Sequence, residues 1–351
     1  MVFRIGTALA LPKTSTPRHG SPKRLNDLIC LTLAARWMAN TKETLKVDVF
    51  ESSPIPVRKT RTPSFSVDLA LLGVAFVWGA SYPVAKGALF YAPVSILVLY
   101  RFLITTIITA VAARHEIALV SWGDFIRGFA LGTILFCIFI AETYGVASTS
   151  AMNTALIISL CVIFTPIIDY GLSRRLPPTG ILASAAIACI GVGILTGGIS
   201  RFSPGDALVL GAAILRAVMV VSTKRLLAGR QISSVALTAI QGSTVATLTF
   251  VLAVAQFGIS GLVVRAPLQF WGAVAFLALF CTLAAFYIQN AAVRKSTPTR
   301  VGFLMGTEPF FGFVLAHLLL NEPLTVPSLI GAGLVLAGTF AGIWFESRTS
   351  K

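Results

Sequence analysis

Two apolar stretches, 138 residues apart, carry the same landmarks. Asp206–Leu227 (DALVLGAAILRAVMVVSTKRLL) lies without a gap on Asp68–Leu89 (DLALLGVAFVWGASYPVAKGAL). Asp68 meets Asp206, Gly73 meets Gly211, Lys86 meets Lys224 and Leu89 meets Leu227. Shared Ala, Leu and Val follow from composition alone; shared Asp, Gly and Lys do not. A second match sets Ser159–Leu195 on Gly306–Gly342 at an offset of 147, with Phe164 on Phe311 and Gly191 on Gly338. Two such matches mark an internally duplicated membrane protein.

The 351 residues are 56% hydrophobic and 12% charged, where a soluble domain carries about 25% charge. Repeated apolar runs of about 20 residues predict transmembrane helices. Without water to solvate the backbone, each segment must satisfy its own amides, so an all-α integral membrane bundle is expected. The runs are solidly apolar and not alternating, which argues against a β-barrel.

Spans are predicted at 68–89, 93–113, 126–146, 150–172, 178–198, 206–226, 233–257, 267–291, 299–320 and 325–346. That makes ten transmembrane helices in two five-helix repeats, 67–198 and 204–346. Five is odd, so the second repeat starts on the opposite side and the two are inverted. Pro83, Pro166 and Pro309 fall inside spans and predict kinks or broken turns.

Charge tests this topology independently. The net charge is +15, but its carriers lie at span ends and in the N-terminal tail, so they read as topology signals and not as a nucleic-acid surface. With the N-terminus cytoplasmic, twelve Lys and Arg fall in inner loops and the C-terminus, against three (Lys86, Arg201 and Arg265) on the outer side. Both termini are therefore expected in the cytoplasm of a bacterial inner-membrane protein. Residues 1–66 hold eleven Lys/Arg and four Asp/Glu and no spanning run. They read as a basic, disordered tail, with a transit peptide or a true start at Met38 as alternatives.

Membrane-embedded charge costs about 2.5–3.5 kcal/mol on insertion scales, so what persists usually faces a cavity or a partner. The charged candidates are Arg101, Glu142, Asp169, Arg216, Glu308 and His317. Trp78, Tyr82 and Lys86 share one helix face, a cavity wall or ordinary packing with a snorkelling lysine. Tyr287 and Asn290 share another face, for substrate contact or interhelical bonding. Glu308, on a face with Met305 and Phe311, is a site candidate or a structural turn. Asp169 is expected to pair locally with Arg174 and Arg175. Glu142 and Arg216 stand out, being well inside their spans with no charge one turn away; Asn153 adds uncharged polarity. The expected substrate-binding set is Trp78, Tyr82, Glu142, Asn153, Arg216, Tyr287, Asn290 and Glu308. No metal spacing, nucleotide loop or hydrolase constellation occurs, so no cofactor, metal or enzymatic activity is expected.

The sequence also resembles a known family. WGASYPVAKGAL at Trp78–Leu89, Arg101-Phe102, and above all Thr307–Gly338 (TEPFFGFVLAHLLLNEPLTVPSLIGAGLVLAG) are similar to the drug/metabolite transporter superfamily and its EamA-like members. The likeness spans about residues 67–346. It departs where Cys161-Val162 stands opposite Glu308-Pro309, and where Arg174-Arg175 replaces a loop acid. The resemblance implies a ten-helix transporter fold and says little about cargo. The resulting expectation is a secondary transporter, an exporter of a small metabolite such as an amino acid or related solute. Its partners would be that solute and the lipid bilayer, with proton or exchange coupling open and no nucleic acid. A membrane-embedded enzyme and a channel are the alternatives; neither finds a catalytic cluster or a selectivity loop.

Overall fold

The computed structural model describes residues 65–198, 202–230, 232–293, 301 and 304–349, without the side chains of residues 290–293 and 349. The tail expected over residues 1–66 lies outside them but for its last two residues, which open the first helix. The helices are α1 (Phe65–Ala88), α2 (Val94–Ala112), α3 (Arg114–Ile117), α4 (Trp122–Ser148), α5 (Ala151–Ile158), α6 (Cys161–Leu172), α7 (Thr179–Leu195), α8 (Pro204–Leu226), α9 (Ser234–Phe257), α10 (Leu268–Ala278), α11 (Ala285–Val293), α12 (Glu308–Leu320) and α13 (Val326–Thr349). A π-helical turn, Leu279–Ala284, joins α10 to α11.

Eight segments are long and apolar enough to cross a membrane, counting α5–α6 and α10–α11 as one each. The other two expected spans correspond to shorter apolar helices, α7 and α12. No strand occurs among the described residues. α4 begins four residues before its expected start, because Ser121 accepts from the Asp124 amide and caps the extra turn.

The prolines do not break the chain where they stand. Pro83 is buried in a continuous α1. Pro166 lies inside α6, while the break falls earlier, at Ser159-Leu160, where amides reach back only three residues. A second break falls at Gly306-Thr307, just before Pro309, with the same shortened bonding. The two breaks are 147 residues apart, the offset of the sequence repeat.

The core is built around α5. Seven of its eight residues are buried, all but Asn153. A helix apolar on every face belongs in the middle of a bundle, and α5 meets side chains from α1, α7, α8, α12 and α13 there. α7 and α13 approach backbone to backbone: a Cβ at Gly191 would lie 2.8 Å from the Gly331 carbonyl oxygen, and one at Gly338 2.8 Å from that of Ser184. Small residues at such crossings are what membrane bundles use in place of a hydrophobic driving force.

Candidate functional site

Two close crossings bring the interior polar residues together. α1 meets α12 at Gly79 and Gly312, where a Cβ on Gly79 would sit 2.7 Å from the Gly312 amide nitrogen. That approach carries the Tyr82 hydroxyl onto Glu308, 2.5 Å from Oε1. α4 meets α8 at Gly145, where a Cβ would lie 3.1 Å from the Gly205 carbonyl oxygen. Further along the same pair, Arg216 Nη1 stands 3.9 Å from Glu142 Oε2. That is ion-pair range and too long for a hydrogen bond.

These groups form one electrostatic cluster. Arg216 interacts with Glu142, Glu308, Tyr82 and the Cys161 thiol. Its guanidinium carbon lies 6.0 Å from the Trp78 ring centre, at the limit of a cation–π contact. Trp78 is held by donating Nε1–H to the Cys281 carbonyl, 2.8 Å away, and by an edge contact with Phe286. The Cys281 carbonyl belongs to the π turn. Such a turn widens the backbone ladder and offers groups to side chains, which is why it recurs at functional sites.

The cluster thus unites Trp78, Tyr82, Glu142, Arg216 and Glu308. Its members come from α1, α4, α8 and α12, two helices from each sequence repeat. Two expected members, Asn153 and Tyr287, are not in it, and a third, Asn290, is left undescribed. Asn153 donates to Asp206 Oδ1 at 3.1 Å, a carboxylate that also accepts from Thr149 Oγ1 at 2.6 Å and closes a capping box with Ser203. Asn153 therefore ties the start of α5 to the start of α8. Tyr287 is exposed on α11. Asn290 lies in α11, but its side chain is outside the described residues.

Other polar residues join helix ends. Lys86 does not snorkel freely: Nζ donates to the Val146 carbonyl at 3.3 Å and to that of Thr149, at the C-terminus of α4. A cation there meets the negative end of the helix. α12 ends on Asn321 in the left-handed conformation (φ 53°). The next residue, Glu322, accepts from the Ala151 and Met152 amides at 2.7 and 2.9 Å. Its carboxylate thus satisfies the first turn of α5 from the far side of the sequence. At the opposite end of α5–α6, Asp169 pairs with Lys224 at 3.2 Å and Arg225 at 3.1 Å. Arg174 and Arg175, expected as its partners, make neither contact. The reason is geometric: α6 ends in a turn after Leu172, and Arg174 takes a positive φ of 53°, while α8 runs alongside.

Sequence reasoning missed Glu322 and the π turn. The repeated Glu-Pro pair marked Glu322, but its partners lie about 170 residues away. The Ser203-x-x-Asp206 spacing was a legible capping box. The described residues hold no group of three or more His, Cys, Asp or Glu that could bind a metal.

Comparison with known proteins agrees with this architecture. A model of the EamA-like transporter family matches twice, over residues 65–197 and 203–343. A protein of Archaeoglobus fulgidus described as an uncharacterized transporter is 25% identical over 272 residues, covering 77% of this chain and 83% of its own. A crystal structure of another protein superposes with a TM-score of 0.58 at 17% identity, over 82% of this chain and 99% of that one, and shares the fold.

Proposed function

Because the chain belongs to the EamA-like transporter family, we propose that it is a secondary transporter that exports a small metabolite, such as an amino acid or related organic solute. It works by alternating access, with ten spans in two inverted halves and both termini cytoplasmic. The ten-span count is supported by the eight long apolar segments plus α7 and α12, and the inversion by repeat offsets that give five spans to each half.

The observation that carries the reading is the gap between Arg216 and Glu142. Opposite charges with no hydrogen bond between them, 3.9 Å apart in the interior, form a pair that is not closed. A fully structural pair would close and take up the remaining donors, since an open pair forgoes part of what offsets its desolvation. An open pair suits a solute carrying both charges: its carboxylate on the Arg216 fork and its amine on Glu142. Trp78 supplies an apolar face beside Arg216. Glu142 also offers a place for a coupled proton.

The test is exchange in proteoliposomes against a panel of amino acids and related solutes. At least one zwitterion should exchange well above protein-free vesicles. Its amide, lacking the carboxylate, and its N-acetyl form, lacking the amine, should compete at least tenfold more weakly. Equal competition by both analogues would sink the paired-charge reading.

The topology has its own check. Single cysteines placed at Ser200 and Ser347, in a background without native cysteines, should label from opposite sides of the membrane. Labelling from one side for both would remove the inverted arrangement.

A further inference from the structure

Arg101, on α2, faces the same interior and is not accounted for by the Arg216–Glu142 pair. It interacts electrostatically with Glu142, Tyr82 and Arg216. Its Nε–H donates to Thr282 Oγ1 at 3.1 Å. That hydroxyl in turn donates to the Leu277 carbonyl at 2.9 Å, five residues back, a bond the π turn makes available. The guanidinium carbon lies 4.6 Å from the Phe139 ring centre and 5.8 Å from that of Phe102. So Nε is anchored and two rings hold the plane. Among the described residues, no carboxylate comes within ion-pair distance, and neither terminal nitrogen has an acceptor.

An arginine in a membrane interior whose hydrogen-bond partner, among the described residues, is a neutral hydroxyl is expensive. Ring faces and a hydroxyl do not neutralise it. The two terminal nitrogens form the edge that matches a carboxylate or phosphate bidentately. Anchoring Nε fixes that edge before any ligand arrives, which lowers the ordering cost of binding.

We propose that Arg101 binds a second anionic group of the cargo, so that the transported solute is acidic: a zwitterion bearing one further carboxylate or phosphate. This rests on the reading of the Arg216–Glu142 gap as the transport site and adds the charge class of its substrate. The first anionic group and the amine occupy Arg216 and Glu142, and the additional group lies on the Arg101 edge. The π turn sets the spacing between the two subsites, since Cys281 holds Trp78 beside Arg216 while the adjacent Thr282 holds Arg101.

The probes are L-glutamate and L-aspartate against L-glutamine and L-asparagine, read as exchange in proteoliposomes and as thermal stabilisation of the purified protein. The wild type should favour the acid of each pair at least tenfold. Arg101→Gln should erase that preference while keeping exchange of the neutral members. Arg101→Lys, which retains charge without the fork, should fall between. Thr282→Val should weaken the preference through loss of the anchor. Without ligand, Arg101→Gln should melt at least as high as the wild type, because it removes an unpaired interior charge. That also separates a binding role from a structural one, for which melting would drop. Wild-type preference for the amides, no response to any of the four, or an unchanged preference in Arg101→Gln would each overturn the proposal. If neutral members exchange and acidic ones do not, only the Arg101 assignment falls. If an Arg216→Met/Glu142→Leu protein exchanges normally, the underlying site reading falls with it.

Discussion

Changing Arg216→Met and Glu142→Leu together is expected to give a protein that inserts and purifies like the wild type and exchanges no substrate. The physical case rests on symmetry of loss. Removing Arg216 alone strands Glu142, whose side chain is only 14% exposed. Breaking a buried pair from one side costs about 3–5 kcal/mol, and the 3.9 Å separation puts this pair at the lower end. Removing both charges leaves two apolar side chains of similar bulk, which buried sites often accept without loss of stability, and Glu308 keeps the hydrogen bond it accepts from Tyr82. Stability and transport therefore separate in the double variant and not in the single ones. Arg216→Lys should fold normally and bind at least tenfold more weakly, because an ammonium cannot present the planar fork. Melting temperature and proteoliposome exchange measured on the same preparations decide it. Full exchange by the double variant would make the pair a structural bolt and remove it from the transport site.

Gly331→Ala is expected to cripple folding, while Gly333→Ala, two residues along the same helix, passes almost unnoticed. A Cβ on Gly331 would lie 2.7 Å from the Gly191 carbonyl oxygen and 2.7 Å from the Leu195 amide nitrogen. Both obstacles are backbone, so no side chain can swing away and α7 must move off α13. Overpacking of this kind costs about 1–3 kcal/mol, and the top of that range is expected where main chain meets main chain. Gly333 has nothing within 4 Å of the same added atom, so its change should stay within about 0.5 kcal/mol. Melting temperatures in one detergent compare the two directly. Equal melting points would mean that the contact between α7 and α13 is looser than its geometry.

The sequence made the spans legible because hydrophobic length is a local property, and made the duplication legible because Asp, Gly and Lys repeat at fixed offsets. Trp78 and Arg216 coincide at the repeat offset of 138, and both face the cluster. The position of the helix breaks was not legible. Pro166 and Pro309 drew attention to the right segments, yet the chain breaks at Ser159-Leu160 and Gly306-Thr307; the prolines are 143 residues apart and the breaks 147, so the breaks follow the repeat and not the prolines. The π turn at Leu279–Ala284 carries neither glycine nor proline, so no local signal announced it. Asn153, Asp169 and Lys86 were each visible as polar residues in apolar surroundings, and Glu322 stood only as one of two Glu-Pro pairs. Their partners are set by which helix ends meet, and one sequence does not contain that information.

The crossing of α7 and α13 has a consequence for any motion of the molecule. Add 147 to Ser184 and Gly191, and the repeat returns Gly331 and Gly338. The contact of Gly191 with Gly331 is therefore carried onto that of Gly338 with Ser184, and the interface maps onto itself. If the transport cycle works by letting each half adopt the shape the other has just left, most contacts between halves must be exchanged for different ones. A contact that is its own image is the same before and after. α7 and α13 can stay joined through the whole cycle, as an axle around which α1, α4, α8 and α12 carry the solute. A cross-link between α7 and α13, placed away from the backbone contact itself, would then bind the two halves for good without slowing the turnover.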